Sequence, residues 1–204
     1  MRSTATLKLT LLSTALAVCA LPALAQSTGA APATTPQTIR TREENQQDRI
    51  AQGVKSGELT PGETASLEKK ESNVNGEIRG MRKEDDGHLT AADKATLNRQ
   101  QNQLSKQIYH DKHNAAVENT NPKSEVGKRE ENQQDRIAQG IKSGQLSPGE
   151  TAHLEKNESK INQEVHSDRQ ANGGKLTSQE KKQVNHQLNQ QSRQIYRDKH
   201  NGRK

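Results

Sequence analysis

Four acidic side chains, Glu84, Asp85, Asp86 and Asp93, lie within ten residues of one another. Carboxylate oxygens are hard donors, and a cluster of them on a loop is the usual way a protein ligates Ca²⁺. Two histidines, His110 and His113, stand three apart and share a helix face, a spacing that suits Zn²⁺ or Cu²⁺. The equivalent stretch later in the chain has Arg197 and His200, so the pair does not recur and the histidines read as solvent-facing. Beyond these groups the sequence holds little chemistry. Its one cysteine, Cys19, sits in an N-terminal apolar run. No nucleophile elbow, phosphate-binding glycine loop or Ser/His/Asp arrangement stands out. A catalytic pocket needs rigid, water-poor walls. A chain without Trp or Phe is poorly supplied with them, so the expectation is that this protein is not an enzyme.

The elements that would position these residues are written twice. Residues 42–114 and 129–201 align without a gap at an offset of 87, with 45 identities in 73 positions. The opening REENQQDRIAQG (42–53) recurs unchanged at 129–140, and the ending QIYHDKHN (107–114) returns as QIYRDKHN (194–201). A fixed period marks a duplicated structural unit. Two units of this length are expected, joined by a linker over 115–128, preceded by an Ala/Thr/Pro-rich tether over 26–41 and followed by a short tail, 202–204.

Within each unit a shorter motif repeats. Gly57-x-Leu59-Thr60-x-x-Glu63-x-x-x-Leu67 matches Gly87-x-Leu89-Thr90-x-x-Asp93-x-x-x-Leu97, and both return in the second copy from Gly144 and Gly174. Ser or Thr followed three residues later by Glu or Asp is a capping box. Pro61 and Pro148 take the first helical position, where a missing N–H costs nothing. Each motif therefore ends one helix and starts another. The spacing predicts helices over 42–56, 61–82 and 91–113, then 129–143, 148–169 and 178–200. Their apolar residues fall on one stripe: Leu67, Val74, Ile78, Leu97, Leu104 and Ile108 in the first copy, and Leu154, Ile161, Val165, Val184, Leu188 and Ile195 in the second. Period-two alternation is absent. The fold class is all-α: a signal peptide followed by two tandem three-helix repeat units. From Gln26 onward only 26 of 179 residues are Ile, Leu, Val, Met or Tyr, so the packing is expected to be thin. Stability would then come from pairing of the units, self-association or a partner, with the stripe as the contact surface. Gln191 stands where the first copy has Leu104 and interrupts it. The Gln/Asn-rich last helix of each unit suits either a helix–helix contact or solvated surface.

These hairpins resemble EF-hands at the G-x-L-[ST]-x-x-[ED] positions. That likeness implies Ca²⁺ as cofactor and a small bridge between loops at Leu59 and Leu89. The sequence departs from the pattern where the first ligand belongs, with Gln52, Arg82, Gln139 and Arg169 there. Only 83–93 keeps several acids, so Glu84, Asp85, Asp86 and Asp93 are the candidate ligands.

Residues 1–25 read as a secretory signal peptide, with Arg2 and Lys8 before a short apolar core and Ala23-Leu24-Ala25 as the cleavage site. The net charge of +6 falls to +4 once Arg2 and Lys8 leave. No later stretch is apolar enough to span a bilayer. The charges are interspersed and the only aromatic platforms are Tyr109 and Tyr196, so nucleic acid is not an expected partner. Finally, the R-x-x-N-Q-Q-x-R-I-x-x-G-[VI]-x-S-G-x-L-[TS] segments, Arg42 to Thr60 and Arg129 to Ser147, resemble uncharacterised exported repeat proteins of Gram-negative bacteria. That resemblance implies a periplasmic or extracellular location and no particular activity. The function expected is protein binding or scaffolding in the cell envelope, through an unidentified protein partner or self-association. The alternatives are a divalent-metal-responsive EF-hand-like module and a periplasmic chaperone-like protein.

Overall fold

The computed structural model describes residues 38–117 and 123–202. The expected signal peptide (1–25, with Cys19), the tether up to 37, residues 118–122 of the linker and residues 203–204 lie outside the described residues. What is described is all-helical: α1 (Ile39–Ser56), α2 (Pro61–Glu84), α3 (Ala91–Lys112), α4 (Glu125–Lys142), α5 (Pro148–Ala171) and α6 (Ser178–Lys199).

The caps explain the boundaries. Thr60, Thr90, Ser147 and Thr177 each close a full capping box with the acid three residues on. At Thr60, the Glu63 carboxylate accepts from the Thr60 N–H at 2.9 Å while the Thr60 hydroxyl oxygen accepts from the Glu63 N–H at 3.3 Å. The repeated ending secures the same box. Asn114 Nδ2 donates to Glu63 at 2.6 Å and Asn201 Nδ2 to Glu150 at 2.5 Å, tying the end of the third helix in each set to the start of the second.

Two helices begin earlier than the repeat suggests. The Thr38 hydroxyl caps α1 at the Thr41 N–H, and the Ser124 hydroxyl caps α4 at the Gly127 N–H. Helix therefore takes in the last residues of the expected tether and shortens the expected linker. These two caps lie 86 residues apart rather than 87, outside the exact alignment that set the expected starts.

Gly53 shows why the turn after α1 takes its shape. The Leu59 N–H returns to the Gly53 carbonyl at 3.1 Å and lays the leucine over it. A Cβ on Gly53 would sit 2.6 Å from Leu59 Cδ1, and one on Gly140 would sit 2.6 Å from Leu146 Cδ1. Leu59 is thus a buried plug over a glycine rather than half of an inter-loop bridge with Leu89. No strand or bridge occurs among the described residues.

Helices α1–α3 pack on one another, as do α4–α6. The two sets meet along α2 with α5, the most extensive pairing among the described helices, and along α1 with α4. The main apolar cluster draws on both sets, with Ile50, Val54, Leu67 and Ile108 beside Ile137, Ile141, Leu154 and Ile195. This cluster is continuous across the two sequence copies, whereas Val74, Ile78 and Leu97 form a cluster within the first set and Val126, Ile161, Val165, Leu176, Val184 and Leu188 one within the second.

Candidate functional sites

The acidic loop brings Asp85 within hydrogen-bonding reach of Asp93 but does not gather all four carboxylates. Glu84 is the exposed last residue of α2, and Asp85 caps that helix through its backbone N–H to Met81 O. Asp86 takes a left-handed conformation (φ 48°). The Asp93 carboxylate accepts from the Thr90 hydroxyl at 2.6 Å and from the Thr90 N–H at 2.9 Å. Those bonds, with a smaller contribution from Asp85, hold its pKa below the ordinary value. Among the described residues no three His, Cys, Asp or Glu side chains form a group that could hold a metal ion. The expected ligands Glu84, Asp85, Asp86 and Asp93 are therefore not assembled as a group of three or more in the described residues. Helix capping has claimed the acid that would close the loop.

The histidines also serve local structure. His110 Nδ1 pairs with Asp111 at 3.1 Å, and His113 Nδ1 lies 2.6 Å from the Tyr109 carbonyl oxygen. His113 stacks on Tyr109 with ring centroids 4.2 Å apart, and His200 stacks on Tyr196 at the same separation. Both tyrosines remain exposed.

The apolar stripe is spent inside the molecule. Leu67, Val74, Ile78, Leu97, Leu104 and Ile108 are buried, as are Leu154, Ile161, Val165, Val184, Leu188 and Ile195. In this arrangement the stripe is closed to an outside partner, because the helices of the same chain cover it. Gln191 does not break the stripe in the way its sequence position suggests. It is buried, and its Nε2 donates to the Leu154 carbonyl oxygen at 2.8 Å. The first copy places its buried amide one turn earlier, at Gln101, whose Nε2 donates to Ile39 O at 3.0 Å. Leucine and glutamine have exchanged places between the copies: Gln101 and Leu104 against Leu188 and Gln191.

A buried polar layer was not legible beforehand. Gln46 Nε2 donates to Gln101 O at 2.7 Å and Ser105 Oγ at 2.8 Å, and Gln133 Nε2 donates to Leu188 O and Ser192 Oγ, both at 2.7 Å. Gln47 donates to Glu68 at 3.0 Å, and Gln134 to Glu155 at 3.1 Å. Four glutamates, Glu68, Glu71, Glu155 and Glu158, are no more than 1% exposed. Removing a carboxylate from water penalises its charged form. Burial pushes Glu68 up to about 8, against the Gln47 hydrogen bond and with help from neighbouring Glu71. It pushes Glu71 to about 8 as well, where Glu43 adds to the rise and Arg49 opposes it. Glu43 is itself raised by burial, with Arg82 pulling the other way. Burial therefore favours the protonated, neutral form of both Glu68 and Glu71. The only sequence signal for this layer is that its polar residues are identical in the two copies.

On the surface, an open groove of about 610 Å³ runs between α5 and α6. Its charged lining is cationic, with Lys160, Arg193 and Arg197 set among Asn157, Gln190 and Gln194. Asp198 accepts from Gln194 Nε2 at 2.8 Å, and the Gln194 side-chain oxygen Oε1 accepts from Arg197 Nη2 at 2.6 Å, so the guanidinium is held in place. In the first copy the corresponding space is bridged, with Lys70 Nζ donating to Gln107 Oε1. Asn157 replaces that lysine in the second copy and leaves the groove open.

No helix of the described residues is long and apolar enough to cross a membrane. Compared with protein-family models, curated proteins and solved structures, the chain matches none of them.

Proposed function

We propose that this is an exported, non-enzymatic protein of two tandem three-helix repeat units that acts by binding or scaffolding in the cell envelope. The observation that supports this reading is the division of labour between the two kinds of side chain. Every residue of the apolar stripe is used to join helices of the same chain. The exposed surface carries the cationic, amide-lined groove between α5 and α6 and the two Tyr–His stacks. Recognition of a partner would then run through oriented guanidinium and amide groups rather than through a greasy face. Preorganised donors of this kind favour specificity over raw affinity.

The test has two arms. Mass spectrometry of the chain recovered from its host should find the mature N-terminus at Gln26 in the envelope or medium. A photo-crosslinker placed at Gln190, in the groove, should give discrete adducts with envelope components that one at Lys69, on α2, does not. A chain that retains residues 1–25 in the cytosol, or identical adducts from both positions, would overturn the reading.

A further inference from the structure

The contacts that join the two halves are reciprocal. A Cβ on Gly62 would lie 3.4 Å from Ser159 Oγ, and a Cβ on Gly149 would lie 3.4 Å from Ser72 Oγ. Position 149 is 62 shifted by the repeat offset of 87, and 159 is 72 shifted likewise. The first turn of each helix therefore meets the middle of the other, so α2 and α5 run antiparallel about an approximate twofold axis. The cleft between α1 and α4 takes Ala51, Gln52 and Lys55 from α1 and their equivalents Ala138, Gln139 and Lys142 from α4, with Asn132, Asp135 and Arg136 besides. The reciprocal α2–α5 contact has the geometry of an isologous dimer interface, in which one patch meets a copy of itself.

The sequence differences between the copies spare the centre of that face. All twelve residues of 42–53 are unchanged at 129–140. On the inner side of α2, Gly62, Thr64, Leu67, Glu68, Glu71 and Ser72 have the same residue type in α5. On its groove side, Ser66, Lys70 and Asn73 become His153, Asn157 and Lys160. The centre of the joining face has stayed self-complementary, while its rim has changed, with Gln163 and His166 beside the start of α2 where the first copy has Gly76 and Arg79.

We infer that a second copy of this chain is the partner this face fits: half of one molecule can take the place of its counterpart in another, giving an exchanged dimer with the same contacts. Such an exchange needs no new surface, so the closed monomer and the dimer differ chiefly in concentration dependence and in the path of the connection. Twelve residues separate Lys112 from Glu125, enough chain to reach on the order of 40 Å when extended. The inference extends the scaffolding reading, and its test uses purified chain, so it stands or falls wherever the protein resides in the cell.

The test uses full-length chains in which Cys19→Ser removes the native thiol. One chain carries Ser72→Cys and another Gly149→Cys. The two are mixed, unfolded in urea, refolded together at high concentration and oxidised. Exchange brings position 72 of one molecule against position 149 of the other, within reach of a disulfide. The expected product is a reducible species at twice the 22.5 kDa chain mass. A second mixture, Gly62→Cys with Ser159→Cys, brings the other reciprocal pair together across two molecules and should give the same doubling. A chain carrying both Ser72→Cys and Gly149→Cys should close internally without change of mass, which shows that the variants fold. A pair on the groove side, Ser66→Cys with His153→Cys, reports random collision. If the double variant closes while neither mixture yields doubled mass, or if the groove-side pair links as well as the others, the inference fails.

Discussion

The buried glutamates make stability depend on pH in a direction opposite to that of most carboxylates. Glu68 and Glu71 ionise near 8 in the folded chain against an ordinary value of 4.5. Below about pH 4.5 both states hold the proton, and the full stability of the neutral core is present. As pH rises toward 8, the unfolded chain releases protons that the folded chain keeps, so each unit costs about 1.4 kcal/mol per group. For Glu68 alone the loss at pH 7 is about 3 kcal/mol, a large share of a small domain's net stability. Glu68→Gln removes that titration while keeping a carbonyl for the Gln47 amide. At pH 7 the variant should be more stable than the parent by about 3 kcal/mol, or on the order of 1–2 M in the urea midpoint. Near pH 4.5 the two should coincide. Urea unfolding followed by far-ultraviolet circular dichroism at several pH values reads this directly. The reasoning is refuted if the parent gains stability between about pH 5 and 8, or if Glu68→Gln weakens the fold equally at both ends of that range.

Two further outcomes follow from the geometry. Gly53→Ala drives a methyl to within 2.6 Å of Leu59 and should cost about 1–3 kcal/mol, with Gly140→Ala costing as much against Leu146; thermal melts of the single variants check this, and unchanged midpoints would contradict the close approach. Because Asp93 is engaged by Thr90, adding Ca²⁺ should leave the melting temperature and helical signal unchanged, whereas a calcium-dependent rise lost in Asp85→Asn would return the acidic loop to consideration.

The helices were legible because their signals are local. Hydroxyl, acid and proline at fixed spacing around Thr60 and Ser147 specify a helix start through two hydrogen bonds within one turn. At the acidic loop the same local spacing is ambiguous, because Asp93 suits both a capping box and a metal site. In the structure the Thr90 N–H and hydroxyl both engage Asp93 as a capping box. Thr38 and Ser124 escaped the repeat-based boundaries because the copies are out of register by one residue there.

The interior was harder to read, for a physical reason. Periodicity counts apolar residues and treats a glutamine or glutamate as surface, yet burial of a polar side chain is tolerated when a neighbouring helix supplies its hydrogen bond. Leu104 and Gln191 occupy equivalent positions and are both buried, one among apolar neighbours and the other bonded to the Leu154 backbone. The compensating pair, Gln101 and Leu188, lies one turn earlier on the same face of its helix. A core built this way needs fewer apolar residues than composition demands, because amides and neutral acids fill space that leucine would otherwise occupy. Their hydrogen bonds also fix which helix faces which, since a one-turn slip would strand Gln46 and Gln133 away from their carbonyl partners.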